Sequence, residues 1–156
     1  MIYFVCVLII SVIFIGDLRV KNAIEKSSAV LQPEDGECSV LGGRILIRKH
    51  HNRGFVCNRW QNRQRTVAVL SLLLSVLMTL VFLLSFGQRG NHVMRTGLAF
   101  LLGGAFSNTY DRLKRKYVVD YFSLNVKWKR LRRIVFNISD FCIMTGALLT
   151  VIGSIR

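Results

Sequence analysis

Residues 66–86 read TVAVLSLLLSVLMTLVFLLSF, a run of 21 residues without a charged side chain. A helix needs about 20 predominantly apolar residues to cross the hydrocarbon core of a bilayer. Because no water satisfies backbone polar groups there, a spanning segment must pair them internally, as a helix does. This stretch therefore predicts a transmembrane helix and argues against an ordinary soluble domain.

Three further apolar blocks lie on either side of this stretch. The first 16 residues carry no charge. We interpret them as an uncleaved helix rather than a signal peptide, because no basic residue precedes them and no small-x-small cleavage site follows. The predicted fold is an all-α polytopic membrane protein, one membrane-embedded domain over residues 1–156. Its four transmembrane helices are expected at about 1–24, 66–86, 93–110 and 134–155.

Composition agrees with this class. The chain is 52% hydrophobic and 19% charged, with a formal net charge of +14. Its 22 basic residues fall almost entirely between the apolar blocks, so we expect them to bind anionic lipid headgroups rather than nucleic acid. Four cysteines are too few for a disulfide-dense scaffold. A disulfide between Cys38 and Cys57 and two free thiols remain alternatives.

The long connection after the first block predicts a small β element. Val40–Leu41 and the alternating residues 44–48 flank Gly42–Gly43, a pattern typical of a hairpin at the membrane surface. His50 and His51 are adjacent, so on a strand they would point to opposite faces and make a poor metal pair. We predict no metal site and no cofactor.

Two acids are the strongest candidates for chemistry. Asp120 follows the third block and Asp140 lies near the start of the fourth, so both belong to the same side of the membrane. Two adjacent carboxylates cannot both ionise easily, and such a pair can activate water and protonate a leaving group. Asn137 would share a helix face with Asp140. Alternatively, Asp140 is an interfacial residue favoured by the helix dipole.

Three motifs in the second half of the chain resemble those of the lipoprotein signal peptidase (signal peptidase II) family. The family pattern is Gly-Gly-Ala-x-Gly-Asn-x-x-Asp-Arg, then Val-Val-Asp-Phe, then Phe-Asn-x-Ala-Asp. The matching stretches, in the same order and spacing, are GGAFSNTYDR at 103–112, VVDYF at 118–122 and FNISD at 136–140. Weaker matches are Asp17-x-x-x-Lys21 and Asn52-Arg53-Gly54.

The resemblance implies an aspartyl endopeptidase that removes signal peptides from diacylglyceryl-modified prolipoproteins, cutting before the lipidated cysteine. Asp120 and Asp140 fall at its catalytic positions. It also implies a multi-pass protein of the bacterial plasma membrane, acting near the extracytoplasmic leaflet, with the β element on that side; we expect a monomer. The positions that support the site or the substrate are Asp17, Lys21, Asn52, Gly54, Asn108, Arg112 and Asn137. The alternative is a non-catalytic membrane scaffold or anionic-lipid-binding protein.

Several details qualify this prediction. Ser107 and Ser139 replace the usual Gly and Ala, and Phe55 and Val56 replace the small residues that usually follow the Asn-Arg-Gly motif. We expect Arg112 to pair with Asp111 or orient a carboxylate. We expect Arg19 and Lys21 to snorkel towards headgroups. The basic residues number 10 from 19 to 65 and 9 from 111 to 133, which by the positive-inside rule would put those connections in the cytoplasm.

Overall fold

The computed structural model describes residues 2–27, 38–54, 61–87 and 91–155. Phe55, Val56 and Cys57 lie outside these ranges, and so does the predicted disulfide alternative. The helices are α1 (Ile2–Lys26), α2 (Gln64–Ser85), α3 (His92–Lys114), α4 (Lys129–Arg132) and α5 (Ile138–Ser154), with a 3₁₀ turn at Gln61–Arg63. The strands are β1 (Cys38–Val40), β2 (Ile45–Asn52) and β3 (Val118–Leu124).

The four long helices run in alternating directions. At one end, Tyr3 of α1 stacks on Phe86 just after α2, with ring centroids 4.3 Å apart. At the same end, Asn91 before α3 donates to the carbonyl of Gly153 at the end of α5. The other ends of α1, α3 and α5 adjoin the sheet, so α1 and α3 run parallel to each other and antiparallel to α2 and α5. Helix α3 packs against the other three.

Two of the described helices, α1 and α2, are long and apolar enough to cross a bilayer. Most of their apolar residues are exposed on the outside of the protein, as lipid-facing side chains would be. Helix α5 is also apolar but has 17 residues, and α3 carries buried polar side chains along its length. The number of four spans therefore stays a prediction.

Glycines let α3 approach its neighbours closely. A Cβ atom at Gly104 would lie 2.5 Å from the carbonyl oxygen of Ser139, and one at Gly97 would lie 2.8 Å from that of Gly146. On another face, a Cβ at Gly103 would lie 2.8 Å from Cβ of Ile13 in α1. Small residues are the usual means of close helix packing in lipid, where water does not drive association.

The predicted hairpin is confirmed in a mostly helical chain, and its sheet has one strand more than expected. Strands β1 and β2 pair antiparallel around a turn at residues 41–44, where Leu41, Gly42 and Gly43 have positive φ. A third strand, β3, pairs antiparallel with β2, giving the order β1-β2-β3. The sheet thus includes a strand from the connection after α3, because the apolar stretch around Asp120 forms β3.

Two helix boundaries differ from the predicted spans. Helix α3 continues to Lys114, and α5 begins only at Ile138. Residues before α5 are extended, because Phe136 exchanges backbone hydrogen bonds with Phe122 of β3, at 2.7 and 3.0 Å. Asn137 is therefore the N-cap of α5 and does not share a helix face with Asp140.

Candidate active site

Asp120 lies in β3, and the residue is 3% exposed. Its carboxyl group is part of the site. It accepts a 2.7 Å hydrogen bond from Nδ2 of Asn137, and the side chain of Asn52 also bonds to it. Burial, and next the charge of Asp140, raise the pKa of Asp120 to about 7, although the hydrogen bonds from Asn137 and Asn52 oppose the shift. Asp120 can therefore hold a proton near neutral pH.

Asp140 occupies the first turn of α5 in a capping box with Asn137. The backbone N–H of Asn137 donates to Oδ2 of Asp140 at 3.1 Å, and the N–H of Asp140 donates back to Oδ1 of Asn137 at 3.0 Å. Asn137 thus hydrogen-bonds to both carboxyl groups, to Asp120 through its side chain and to Asp140 through its backbone. Asp140 therefore does lie at a helix N-terminus, as the alternative interpretation expected.

Asn108 of α3 connects Asp140 to a buried lysine. Its Nδ2 donates to Oδ1 of Asp140 at 3.1 Å, and its Oδ1 accepts from Nζ of Lys21 at 2.8 Å. The ammonium can only donate, so this contact fixes which end of the amide faces Asp140. The expectation that Lys21 snorkels to headgroups is wrong, because its side chain is 0% exposed and faces α3.

Lys21 makes ion pairs with two buried carboxylates. Its Nζ lies 2.7 Å from Oδ2 of Asp17 and 3.2 Å from Oδ2 of Asp111. Asp111 also pairs with Arg115 and accepts from the backbone N–H of Val119, at 3.3 Å. The sequence analysis did not predict this role of Asp111. It also did not predict the Asp17–Lys21 ion pair, although their i, i+4 spacing on a helix is the signal that could have indicated it.

Arg112 lies beside the two candidate carboxylates. Its guanidinium is buried, and the carboxyl groups whose charges act on it are those of Asp120, Asp140 and Asp111. Its N–H groups donate to the carbonyls of Asn108 and Gly54, at 3.5 and 3.4 Å. Its Nε is buried without a hydrogen-bond partner among the described residues. Asp111 pairs with Lys21 and Arg115 instead, so the expected Arg112–Asp111 pair is not formed.

The end of β2 completes this group of residues. The backbone N–H of Gly54 donates to Oδ1 of Asn52 at 3.2 Å, so Asn52 and Gly54 form a local turn against Arg112. All nine residues singled out from the sequence therefore lie in one connected network, on the side of the molecule where the sheet meets the helices.

A cavity of about 380 Å³ lies between α2, α3 and α5 and ends at these polar groups. Apolar side chains, including Leu74, Met78, Leu101 and Ile143, form most of its wall. Asn108, Arg112 and Asp140 line it as well. An apolar wall with a few convergent polar groups is the usual form of a ligand site.

The family model of signal peptidase (SPase) II matches residues 9–156. The chain belongs to the signal peptidase II family. Signal peptidase II enzymes are aspartyl proteases, which agrees with two aspartates joined by one asparagine, of which Asp140 lines the apolar cavity.

Relatives and solved structures agree with this family. A lipoprotein signal peptidase of Clostridium novyi is 29% identical over 120 residues, 77% of this chain and 79% of the relative. One from Caldicellulosiruptor bescii is 27% identical over 115 residues, 74% of this chain and 70% of the relative. Two solved structures described as bacterial membrane enzymes share the fold, with TM-scores of 0.77 and 0.75 at 20% identity. They cover 97% of this chain and 87% and 93% of their own.

Proposed function

We propose that Asp120 and Asp140 are the catalytic pair of this signal peptidase. The family acts on prolipoprotein substrates in bacterial membranes. The observation that carries the proposal is the contact of Asn137 with both carboxyl groups, because it holds buried Asp120 and partly buried Asp140 close together. In such a site one carboxyl group keeps its proton, so the pair has an acid and a base together.

The surroundings of the two groups differ. Asp140 accepts N–H donors from Asn108 and Asn137 at a helix N-terminus, and both features stabilise its charged form against the effect of burial. Burial favours the proton on Asp120, whose pKa is raised to about 7. In the proposed reaction the carboxylate takes a proton from a water that attacks the scissile carbonyl. The acid donates its proton to the developing oxyanion, and the group that took the proton from water then passes it to the leaving amine as the C–N bond breaks. The group that donated to the oxyanion recovers a proton from a hydroxyl of the intermediate as the carbonyl re-forms, so the pair returns to its starting state without a metal or cofactor.

The cavity supports the proposed substrate. Its apolar wall suits the hydrophobic segment of a signal peptide, and its polar end brings the peptide bond to Asp140. The unpartnered Nε of Arg112 is a donor for a substrate carbonyl at that end. We propose that the cut falls before a diacylglyceryl-modified cysteine and that the site faces the extracytoplasmic leaflet.

Cleavage of a diacylglyceryl prolipoprotein peptide by the purified full chain tests the pair. Asp120→Asn and Asp140→Asn should each lower kcat at least about 1,000-fold, because each removes one member of a unit that exchanges protons. The double variant should be little slower than either single one, since residues that act as a unit are not additive.

Glu25→Gln is the matched control. Glu25 lies at the end of α1 on the same side and pairs with Lys49 and His51, away from the catalytic pair. It should keep wild-type turnover. Wild-type cleavage by Asp120→Asn would refute the pair and favour the alternative, a non-catalytic protein that binds anionic lipid. Loss of activity on chelation, restored by zinc, would refute the metal-free mechanism.

A further inference from the structure

The carboxylate of Asp17 accepts four donors from four different residues. Its Oδ2 accepts from Nζ of Lys21 and from the hydroxyls of Ser107 and Ser139, and its Oδ1 accepts from the hydroxyl of Tyr121 at 2.9 Å. A carboxylate has about four lone-pair sites. Asp17 is therefore saturated, and at 1% exposure no water replaces a lost donor.

The three hydroxyl residues belong to three different elements. Ser107 is in α3, Tyr121 in β3 and Ser139 in α5, while Asp17 itself is in α1. One carboxylate thus joins the sheet to three helices.

Two of these hydroxyls are adjacent in sequence to the catalytic pair. Tyr121 follows Asp120, and Ser139 precedes Asp140. The hydroxyl of Tyr121 also accepts the backbone N–H of Ile138 at 3.0 Å, so it ties β3 directly to the first turn of α5. The distance between the strand bearing one aspartate and the helix bearing the other is thereby restrained at Asp17.

We infer that Ser107, Tyr121 and Ser139, acting through Asp17, are positioning residues that set the geometry of the Asp120–Asp140 pair. The inference rests on the proposed function. None of the three touches the reacting atoms. Each of them holds a backbone segment that carries a proposed catalytic carboxyl group or packs beside one. Because like charges repel, the carboxyl groups of Asp120 and Asp140 should move apart when one of these hydrogen bonds is removed.

The test uses Ser107→Ala, Tyr121→Phe and Ser139→Ala in the full chain, each of which removes one oxygen. Each variant should lower kcat about tenfold, the factor expected for one hydrogen bond to a charged group, with KM unchanged. The acidic and basic limbs of the pH profile of kcat/KM report the two apparent pKa values of the pair. These limbs should lie closer together in each variant, because carboxyl groups that are farther apart repel each other less.

Two matched controls separate positioning from packing. Ser123→Ala removes a fully buried hydroxyl of β3 that has no hydrogen-bond partner among the described residues. Tyr3→Phe removes a hydroxyl at the opposite end of α1. Both should keep the wild-type kcat and pH profile. If the three variants match these controls in kcat and pH profile and differ only in melting temperature, the positioning role is refuted.

A double-mutant cycle tests whether Asp17 is the shared partner. In an Asp17→Asn background, the effect of Ser139→Ala on kcat should shrink below about twofold, because the contact it removes is already weakened. An undiminished tenfold effect would refute the inference. If Asp17→Asn fails to fold, the cycle is made between Tyr121→Phe and Ser139→Ala, and strictly multiplicative effects would refute it. These results differ from failure of the proposed function, which is retained turnover in Asp120→Asn.

Discussion

At the residue scale, Asp120 binds a proton in the folded protein that it releases when the chain unfolds. Its pKa is raised from 3.8 to about 7, first by burial and then by the charge of Asp140. Between these values the native state holds one more proton than the unfolded state. Stability from this group is thus complete below about pH 4, falls as the pH rises, and is lost above about pH 7.

This predicts a pH-dependent difference between wild type and Asp120→Asn. Relative to the variant, the wild type should lose up to about 1.4 kcal/mol per pH unit between pH 4 and 7, and nothing further above that range. Thermal unfolding in detergent at a series of pH values measures this difference. A difference that stays constant from pH 4 to 8 would contradict the raised pKa of Asp120.

Lys21 is the second residue whose environment makes a strong prediction. Lys21→Met leaves the buried carboxylates of Asp17 and Asp111 without their shared ammonium group. We expect a loss of about 3–5 kcal/mol in the free energy of unfolding, the usual cost of removing one partner of a buried ion pair. Arg19→Met, two positions earlier on the exposed face, is the control and should change stability by less than about 0.5 kcal/mol. Equal unfolding midpoints for the two variants would show that Lys21 is solvated.

At the element scale, the packing of α3 against α5 places Asp140. A methyl group at Gly104 would lie 2.5 Å from the carbonyl oxygen of Ser139 and 2.9 Å from Cγ1 of Ile143. Gly104→Ala should therefore push the first turn of α5 away from α3. We expect a loss of about 1–3 kcal/mol in stability, typical of overpacking, together with reduced turnover.

Gly16→Ala is the control for this variant, because a Cβ atom at Gly16 would meet nothing within 4 Å. It should be neutral or slightly stabilising, since alanine favours a helix more than glycine does. Thermal unfolding and peptide cleavage measured on both variants make the comparison. Unchanged turnover in Gly104→Ala would mean that the contact between α3 and α5 does not determine the position of Asp140.

At the scale of the whole molecule, the prediction concerns the side of the membrane on which the network around Asp120 lies. Ala23 is exposed near the C-terminal end of α1, which adjoins this network. Gly87 is exposed just after α2, at the opposite end of the four long helices. We expect a cysteine at position 23 to react with an impermeant maleimide in intact cells. A cysteine at position 87 should react only after the membrane is opened.

Both variants are made in a chain whose four native cysteines are replaced by alanine. The reverse labelling would invert the topology and support the orientation that the positive-inside rule gives. In that case the nine basic residues between Asp111 and Arg133 would face the cytoplasm. Labelling from outside at position 23 would instead place this basic connection on the side of the outer leaflet.

The amino-acid sequence alone predicted the apolar helices α1 and α2 and the hairpin, and it indicated the nine polar residues that the structure joins in one network. A run of 21 uncharged residues has one stable form in a bilayer, and Gly42–Gly43 permits the positive φ of the turn. The tertiary structure alone decided the third strand, the burial of Lys21 and the hydroxyls around Asp17. The hydroxyl contacts of Asp17, for example, join residues that are 90, 104 and 122 positions apart in the sequence. They depend on which elements pack together and not on any local pattern.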